Sequence, residues 1–348
     1  MKNDQKIYSA TVTKLPGSKA ELKGEITWEY FATFEDQVVT KLAGNLELDG
    51  FRKGAVPKDI ARKQLPDGMI LAEMAELAIN SIYSTLLSDH NLDVIGRPEV
   101  AITKIARDNA LGFTITTAIV PEITLPDYKK IGAGITLEDP KEVTDADVTK
   151  VVEDLRQMRA YGHVHGEHDG HQHDEPLPEV DEAFVSSFGP FKTVEEFRTK
   201  IKENLMHEAE QATRDARRVN ILDAVVKETT FEVPEIVLAS EQEKMLAQIE
   251  ADVARSGASM DDYLKHIQKT KEDLKKEFAP EAEKRARFQL VLNAIARKEN
   301  ILPTEAEVEA EAQKFMAMYP SADLNRTRAY ADMMLTNEKV LAMLEGTK

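Results

Sequence analysis

Residues 50–57 read GFRKGAVP, and the segments on either side settle what kind of fold presents them. Just before them, in TWEYFATFEDQVVTKLAGNLELD (27–49), Trp28, Phe31, Val38, Val39 and Leu42 recur at helical spacing behind Thr27, a residue suited to an N-cap. After a short polar piece a second helix is expected from about Pro66 to His90, with Leu71, Met74, Ala75, Ala78, Ile82 and Leu86 along one stripe. Further out, YSATVTK and AELKGEI alternate on either side of Pro16-Gly17-Ser18 and predict a β-hairpin; RPEVAITKIA and LGFTITTAIV predict two more strands across Arg107-Asp108-Asn109. The order strand, strand, helix, helix, strand, strand implies an α+β module over residues 1–120, an antiparallel sheet with two helices.

Residues 121–140 are richer in Pro and Gly and show no sustained period, and Thr144 with Asp147 opens a short helix, so 121–160 reads as a linker and short helix. YGHVHGEHDGHQHDEPLP (161–178) then holds five of the eight histidines without apolar periodicity, which makes 161–180 a His-rich exposed loop. Residues 181–348 are read as all-helical, with about six helices and no strand. Start signals stand at Thr193/Glu196, Pro234, Ser259/Asp262, Pro303 with Thr304/Glu307, and Ser321, and Phe288, Val291, Leu292 and Ile295 illustrate one apolar stripe.

The formal net charge of −17 disfavours nucleic acid and anionic membrane as partners of the molecule as a whole, so contact with a polyanion has to be local. One basic island exists: Arg52, Lys53, Lys58, Arg62 and Lys63 against only Asp59 between Gly50 and Lys63, which is either a solvated charge cluster or a docking feature. The chain has no cysteine, which removes thiol catalysis, disulfides and Cys-type zinc sites. The charged start MKNDQKIYSATVTKL does not resemble a signal peptide, and no later run approaches the ~20 apolar residues of a membrane span, so a cytosolic protein is the simplest expectation.

Within GFRKGAVP the glycines permit backbone angles closed to other residues and Pro57 fixes one φ and commonly starts a helix. Phe51, Arg52 and Lys53 are therefore presented from a constrained loop between two helices. As a docking device the ring would be the desolvated anchor and the cations would steer; the alternative is that Phe51 folds inward as a plug. The octapeptide resembles the Gly-Phe-Arg-x-Gly-x-x-Pro signature of the trigger factors, chaperones at the exit of the bacterial ribosomal tunnel, with Gly50, Phe51, Arg52, Gly54 and Pro57 at each specified place. LPEVDEAFVSSFGPFKTVEEFRTKIKENL and FEVPEIVLASEQEKML are similar to that family's helical C-terminal domain, so the likeness spans nearly the whole chain.

The resemblance implies an α+β ribosome-binding domain that docks on the large ribosomal subunit through Gly50, Phe51, Arg52, Lys53, Gly54 and Pro57. It also implies an extended helical domain with arms that holds nascent and unfolded polypeptides without nucleotide. Free of the ribosome, a homodimer is open to it; no membrane and no direct DNA contact are expected. Ala55 departs from the basic residue frequent there in the family, which lowers the expected affinity or its salt dependence. The isomerase domain typical of the family is missing: the helix ending at Ala160 is followed within a score of residues by LPEVDEAF, whereas a folded domain needs at least ~50 residues. No isomerase activity is expected.

Two other chemistries are compatible with the residues. A prolyl isomerase with a reduced or relocated site is one. The other is a metal-handling protein in which His163, His165, His168, His171 and His173 take nickel or zinc, against the plainer readings of adventitious metal binding or a solvated linker. No cofactor is required by any motif, and His90, His207 and His266 form no visible nucleophile and base arrangement. Met245, Met260, Met316, Met318, Met333, Met334 and Met343 lie in the expected C-terminal helices, either as adaptable contacts for clients or as filling of a helical core.

Overall fold

The computed structural model describes residues 7–49, 51–52, 56–162 and 177–346. It divides into two compact units, one of Met1–Thr124 with Thr230–Leu290 and one of Leu125–Thr229 with Val291–Lys348.

In the first unit β1 (Tyr8–Leu15) and β2 (Lys19–Ile26) form the expected hairpin, in register from Tyr8 opposite Ile26 to Leu15 opposite Lys19. The turn between them needs two residues at positive φ, Gly17 at 75° and Ser18 at 53°, which explains the glycine. β3 (Val94–Lys104) and β4 (Leu111–Ile119) complete an antiparallel sheet in the order β1-β2-β4-β3. Side-chain alternation sends Ala20, Leu22 and Ile26 from β2 and Leu111, Phe113 and Ile115 from β4 into the interior.

Over that face lie α1 (Trp28–Phe31), a 3-10 turn (Ala32–Phe34), α2 (Glu35–Ala43), α3 (Lys58–Gln64) and α4 (Asp67–Asp89). The first expected helix is thus broken in its first turns, and Thr27 caps it through its backbone carbonyl, which accepts from the Phe31 N–H, its side chain making no cap bond. The polar piece after the octapeptide is itself helical, as α3. α4 steps Ile70, Met74, Ala78, Ile82 and Leu86 into the core at intervals of four, shared with Phe31, Val38 and the sheet. With 23 residues it is long and apolar enough to cross a membrane, contrary to the expectation that no segment comes near; its apolar stripe is covered by protein. Also in this unit are α9 (Glu235–Arg255) and α10 (Met260–Ile267), and the chain leading into α9 is tied to the hairpin turn. The Gly17 N–H donates to Glu232 Oε2 at 2.7 Å, and Lys19 pairs with Glu235 at 3.1 Å.

The second unit contains α5 (Tyr128–Gly134), α6 (Asp145–Gly162), α7 (Glu182–Ser186), α8 (Val194–Lys227), α12 (Glu305–Met318) and α13 (Leu324–Glu345); the boundary between units falls inside α11 (Lys271–Glu299). Start signals act where they were read. Thr193 Oγ1 accepts from the Glu196 N–H, Ser259 Oγ from Asp262, and Thr304 with Glu307 forms a full capping box. Ser321 is the exception: Asp323 caps α13, accepting from the Arg326 N–H at 2.9 Å. A nucleus of Val148, Val152, Phe184, Val185, Phe197 and Ile201 joins α6, α7 and α8, with Phe188 and Phe191 stacked tilted or edge-on around Phe197.

The segment read as linker contains α5, and α5 is packed. Tyr128 is buried, its hydroxyl donating to Glu299 at 2.6 Å with Lys298 over its ring. Gly132 lies against the backbone carbonyl of Leu344, where a Cβ has no room, whereas Gly134 faces open space. Gly132→Ala is therefore expected to destabilise this unit by about 1–3 kcal/mol, while Gly134→Ala is neutral or stabilises by up to about 1 kcal/mol. Urea unfolding followed by far-UV circular dichroism compares the two, and equal midpoints would show that α5 is not docked as described.

Candidate functional site

The loop that begins at the end of α2 is anchored at both ends by apolar side chains. Leu46 and Leu48 pack against the core of the first unit on one side and Val56 is buried on the other. Between them the Phe51 N–H donates to the Leu48 carbonyl at 3.0 Å, closing a tight turn, and Pro57 starts α3, its carbonyl accepting from the N–H groups of Ile60 and Ala61. Phe51 is 39% exposed, so it is not a plug beneath the loop, and Arg52 beside it is exposed as well. Of the six residues singled out from sequence, Phe51, Arg52 and Pro57 are placed in this way; Gly50, Lys53 and Gly54 lie outside the described residues.

The basic island is not uniform. Arg52, Lys58 and Lys63 are exposed and form no ion pair among the described residues. Arg62, by contrast, belongs to a ring of four charges. Its Nε donates to Glu35 Oε1 and its Nη2 to Asp67 Oδ1, each at 2.6 Å, while Arg107 Nη2 donates to Glu35 Oε1 at 2.7 Å and Arg107 Nε to Asp67 Oδ1 at 3.2 Å. The Arg107 hydrogen bond is the main reason the Glu35 carboxyl lies below the usual glutamate range; partial burial opposes it and Arg62 adds to it. Asp67 is lowered in the same way, chiefly by Arg62. Sequence reading missed Glu35, Asp67 and Arg107 altogether: Glu35 and Arg107 stand 72 positions apart, and no motif links them.

A second exposed surface lies where α12 turns into α13. Met318 (63% exposed), Tyr319, Leu324 and Tyr330 are all open to solvent, with Phe315 edge-on to Tyr330 at 5.2 Å. Of the seven methionines singled out from sequence Met318 is exposed and the other six are half-buried, as filling of a helical interior would require; Met206 on α8, not among the seven, is 50% exposed.

The pockets among the described residues are slight. Two shallow depressions at the start of α8 are lined mostly by charged side chains, among them Glu195, Arg198, Lys200 and Lys202. Among the described residues no group of three or more His, Asp or Glu is arranged to hold a metal ion. His163, His165, His168, His171 and His173 lie outside the described residues, and the three described histidines are dispersed: His90 at the end of α4, His207 on α8 and His266 on α10.

Comparison with known proteins matches most of the chain in two consecutive stretches. The family model "Bacterial trigger factor protein (TF)" matches residues 8–155, and "Bacterial trigger factor protein (TF) C-terminus" matches 193–344. Among curated proteins, "Trigger factor" of Agathobacter rectalis is 23% identical over 391 residues, covering 89% of this chain and 88% of the relative. "Trigger factor" of Desulforamulus reducens is 24% identical over 399 residues, covering 92% and 91%. Both alignments are longer than the 348 residues here, so part of each relative has no counterpart in this chain. A solved chain, described as "Promiscuous Substrate Recognition in Folding and Assembly Activities of the Trigger Factor Chaperone", is 17% identical with a TM-score of 0.49, covering 97% of this chain and 99% of that one.

Because the folded-state Glu35 is held below its ordinary pKa, its ion pairs contribute stability above the ordinary carboxylate range and lose it as pH falls through the depressed value. Glu35→Gln is expected to cost about 1 kcal/mol at neutral pH, with the gap to wild type closing in acid. Urea unfolding read through Trp28, the single tryptophan, measures this; a gap that stays constant into acid would remove the charge explanation.

Proposed function

Because the chain belongs to the trigger factor family, whose members are chaperones, we propose that it docks at the ribosomal tunnel exit through Phe51, Arg52 and Lys53 and holds nascent polypeptides without nucleotide. The observation that carries this reading is the loop itself. An aromatic side chain stands exposed beside a guanidinium that has no ion pair among the described residues, on a turn flanked by half-buried Leu46 and Leu48 on one side and buried Val56 on the other. An exposed ring whose loop base is anchored in the core loses less entropy on entering a pocket than one on a free chain, and adjacent cations meet ribosomal RNA phosphate. The negative charge of the remainder keeps bulk RNA away, which confines the contact to this tip.

Holding an unfolded segment needs apolar surface open to solvent, and the α12–α13 turn offers Met318, Tyr319, Leu324 and Tyr330 for it. The mechanism is reversible binding, which delays aggregation of exposed apolar segments. Isomerase activity is not part of this reading. The two family matches leave only residues 156–192 between them, fewer than the ~50 residues a folded domain needs. The working location is the cytoplasm, on the ribosome; no cofactor is required, and nickel or zinc at the His-rich segment is incidental.

Co-sedimentation with bacterial 70S ribosomes over a salt series tests docking. A Phe51→Ala, Arg52→Ala, Lys53→Ala variant of verified fold is expected to bind at least about thirtyfold more weakly than wild type, the loss of an aromatic hot spot of about 2 kcal/mol or more. Equal pelleting of both, or of neither, would remove the docking assignment. For client holding, Met318→Ser with Leu324→Ser is expected to reduce suppression of aggregation of a chemically denatured protein while ribosome binding stays at the wild-type level. Unchanged suppression would place the holding surface elsewhere.

A further inference from the structure

α3 has seven residues, too few to hold a helix in water without tertiary support. Its own apolar contribution is small: Ala61 is buried within it, Ile60 is half-buried, and Val56 and Leu65 are buried at its two ends. Its direction therefore depends on what grips Arg62, and that direction matters because α3 begins where the docking loop ends.

The grip is the four-charge ring, and each member comes from a different element. Glu35 is the first residue of α2 and Asp67 the first of α4, positions where a negative charge is also favoured by the helix dipole. Arg107 lies in the turn between β3 and β4, and Arg62 is on α3 itself. Both guanidinium groups bridge the same two carboxylates, and the side chains of Glu35, Arg62 and Arg107 are 26–32% exposed. A fork shared between two acids is fixed in direction as well as distance, which a single surface pair is not. Two positive and two negative charges cancel, so the ring adds nothing to the positive potential of the loop.

We infer that Glu35, Arg62, Arg107 and Asp67 are positioning residues for docking: they set the direction in which Phe51 faces, and Arg62, although it lies in the basic stretch, does not contact phosphate. This rests on the docking function proposed above. Arg62 differs from Arg52, Lys58 and Lys63 in having its donors occupied by carboxylates in the free protein.

The two roles respond differently to salt. A cation that neutralises a phosphate releases counterions, so its removal lowers the salt slope of binding by about one unit, whereas loss of a positioning contact weakens binding at every salt concentration alike. Co-sedimentation of the full chain with 70S ribosomes at graded salt is therefore run for wild type, Arg52→Gln, Arg62→Gln, Arg62→Lys, Glu35→Gln, Phe51→Ala and the Phe51→Ala/Arg62→Gln double variant. Thermal melting confirms that each is folded. Arg52→Gln is expected to lower the slope by about one. Arg62→Gln and Glu35→Gln are expected to weaken binding by about threefold to tenfold with the slope unchanged. Arg62→Lys keeps a charge that a phosphate accepts but cannot bridge two carboxylates, so it is expected to lose affinity as Arg62→Gln does. The double variant is expected to bind no more weakly than Phe51→Ala alone, because the two act through one contact.

Wild type that pellets, together with Arg62→Gln lowering the slope as Arg52→Gln does, or with Arg62→Lys binding normally, would overturn the positioning role and leave docking intact. Fully additive losses in the double variant would overturn it as well. Wild type that fails to pellet would take docking and positioning down together.

Discussion

Burial of one ribbon along α4, the side chains of Ile70, Met74, Ala78, Ile82 and Leu86, against the inward face of the sheet is the constraint on which the first unit rests. Each large member is worth about 1.5–3 kcal/mol when taken fully from water, so the ribbon outweighs any ion pair on the surface. With α4 fixed, α2 has an apolar surface to pack on through Val38, Val39 and Ala43. The loop that leaves α2 can then be exposed at its tip without unravelling, because Leu46, Leu48 and Val56 at its base share the same core.

An exposed aromatic is useful for recognition only if it stays exposed. In a loop free to collapse, Phe51 would find the nearest apolar surface and leave solvent. Here the apolar positions beneath the loop are already filled by leucine and valine, and the segment after it is gripped by carboxylates. Hydrophobic burial sets how deep the loop base sits, and directional charge-assisted hydrogen bonds set where α3 points. The second unit uses the same combination: Arg214 and Arg218 both bond Glu345, whose side chain is only 2% exposed, and Arg218 also reaches Glu338 on α13.

Much of the fold was legible because its determinants are local. Alternation around Pro16-Gly17-Ser18 marks a hairpin wherever it occurs, and Thr304 with Glu307 three positions on forms the capping box its spacing demands. Misses came where local signals are weak or tied. α3 and α5, at seven residues each, are too short to show a period, and α5 is held by Tyr128, Gly132 and partners far along the chain. Ser321 and Asp323 are both good caps by residue type, and only the structure shows that Asp323 is the one used.

For the candidate site the division is the same. The residue types of GFRKGAVP and their order marked an aromatic beside two cations on a constrained turn, and with them the family, because that pattern is carried by consecutive residues. Which of the basic residues are free for a partner was decided only by the tertiary structure. By charge alone Arg62 counts with Arg52 in the basic stretch, and it is removed from the basic surface by Glu35 and Asp67, which reach it from two other helices. Charge is a property of one residue and can be read along the chain; whether that charge is already neutralised depends on distances in space between residues that the sequence keeps apart.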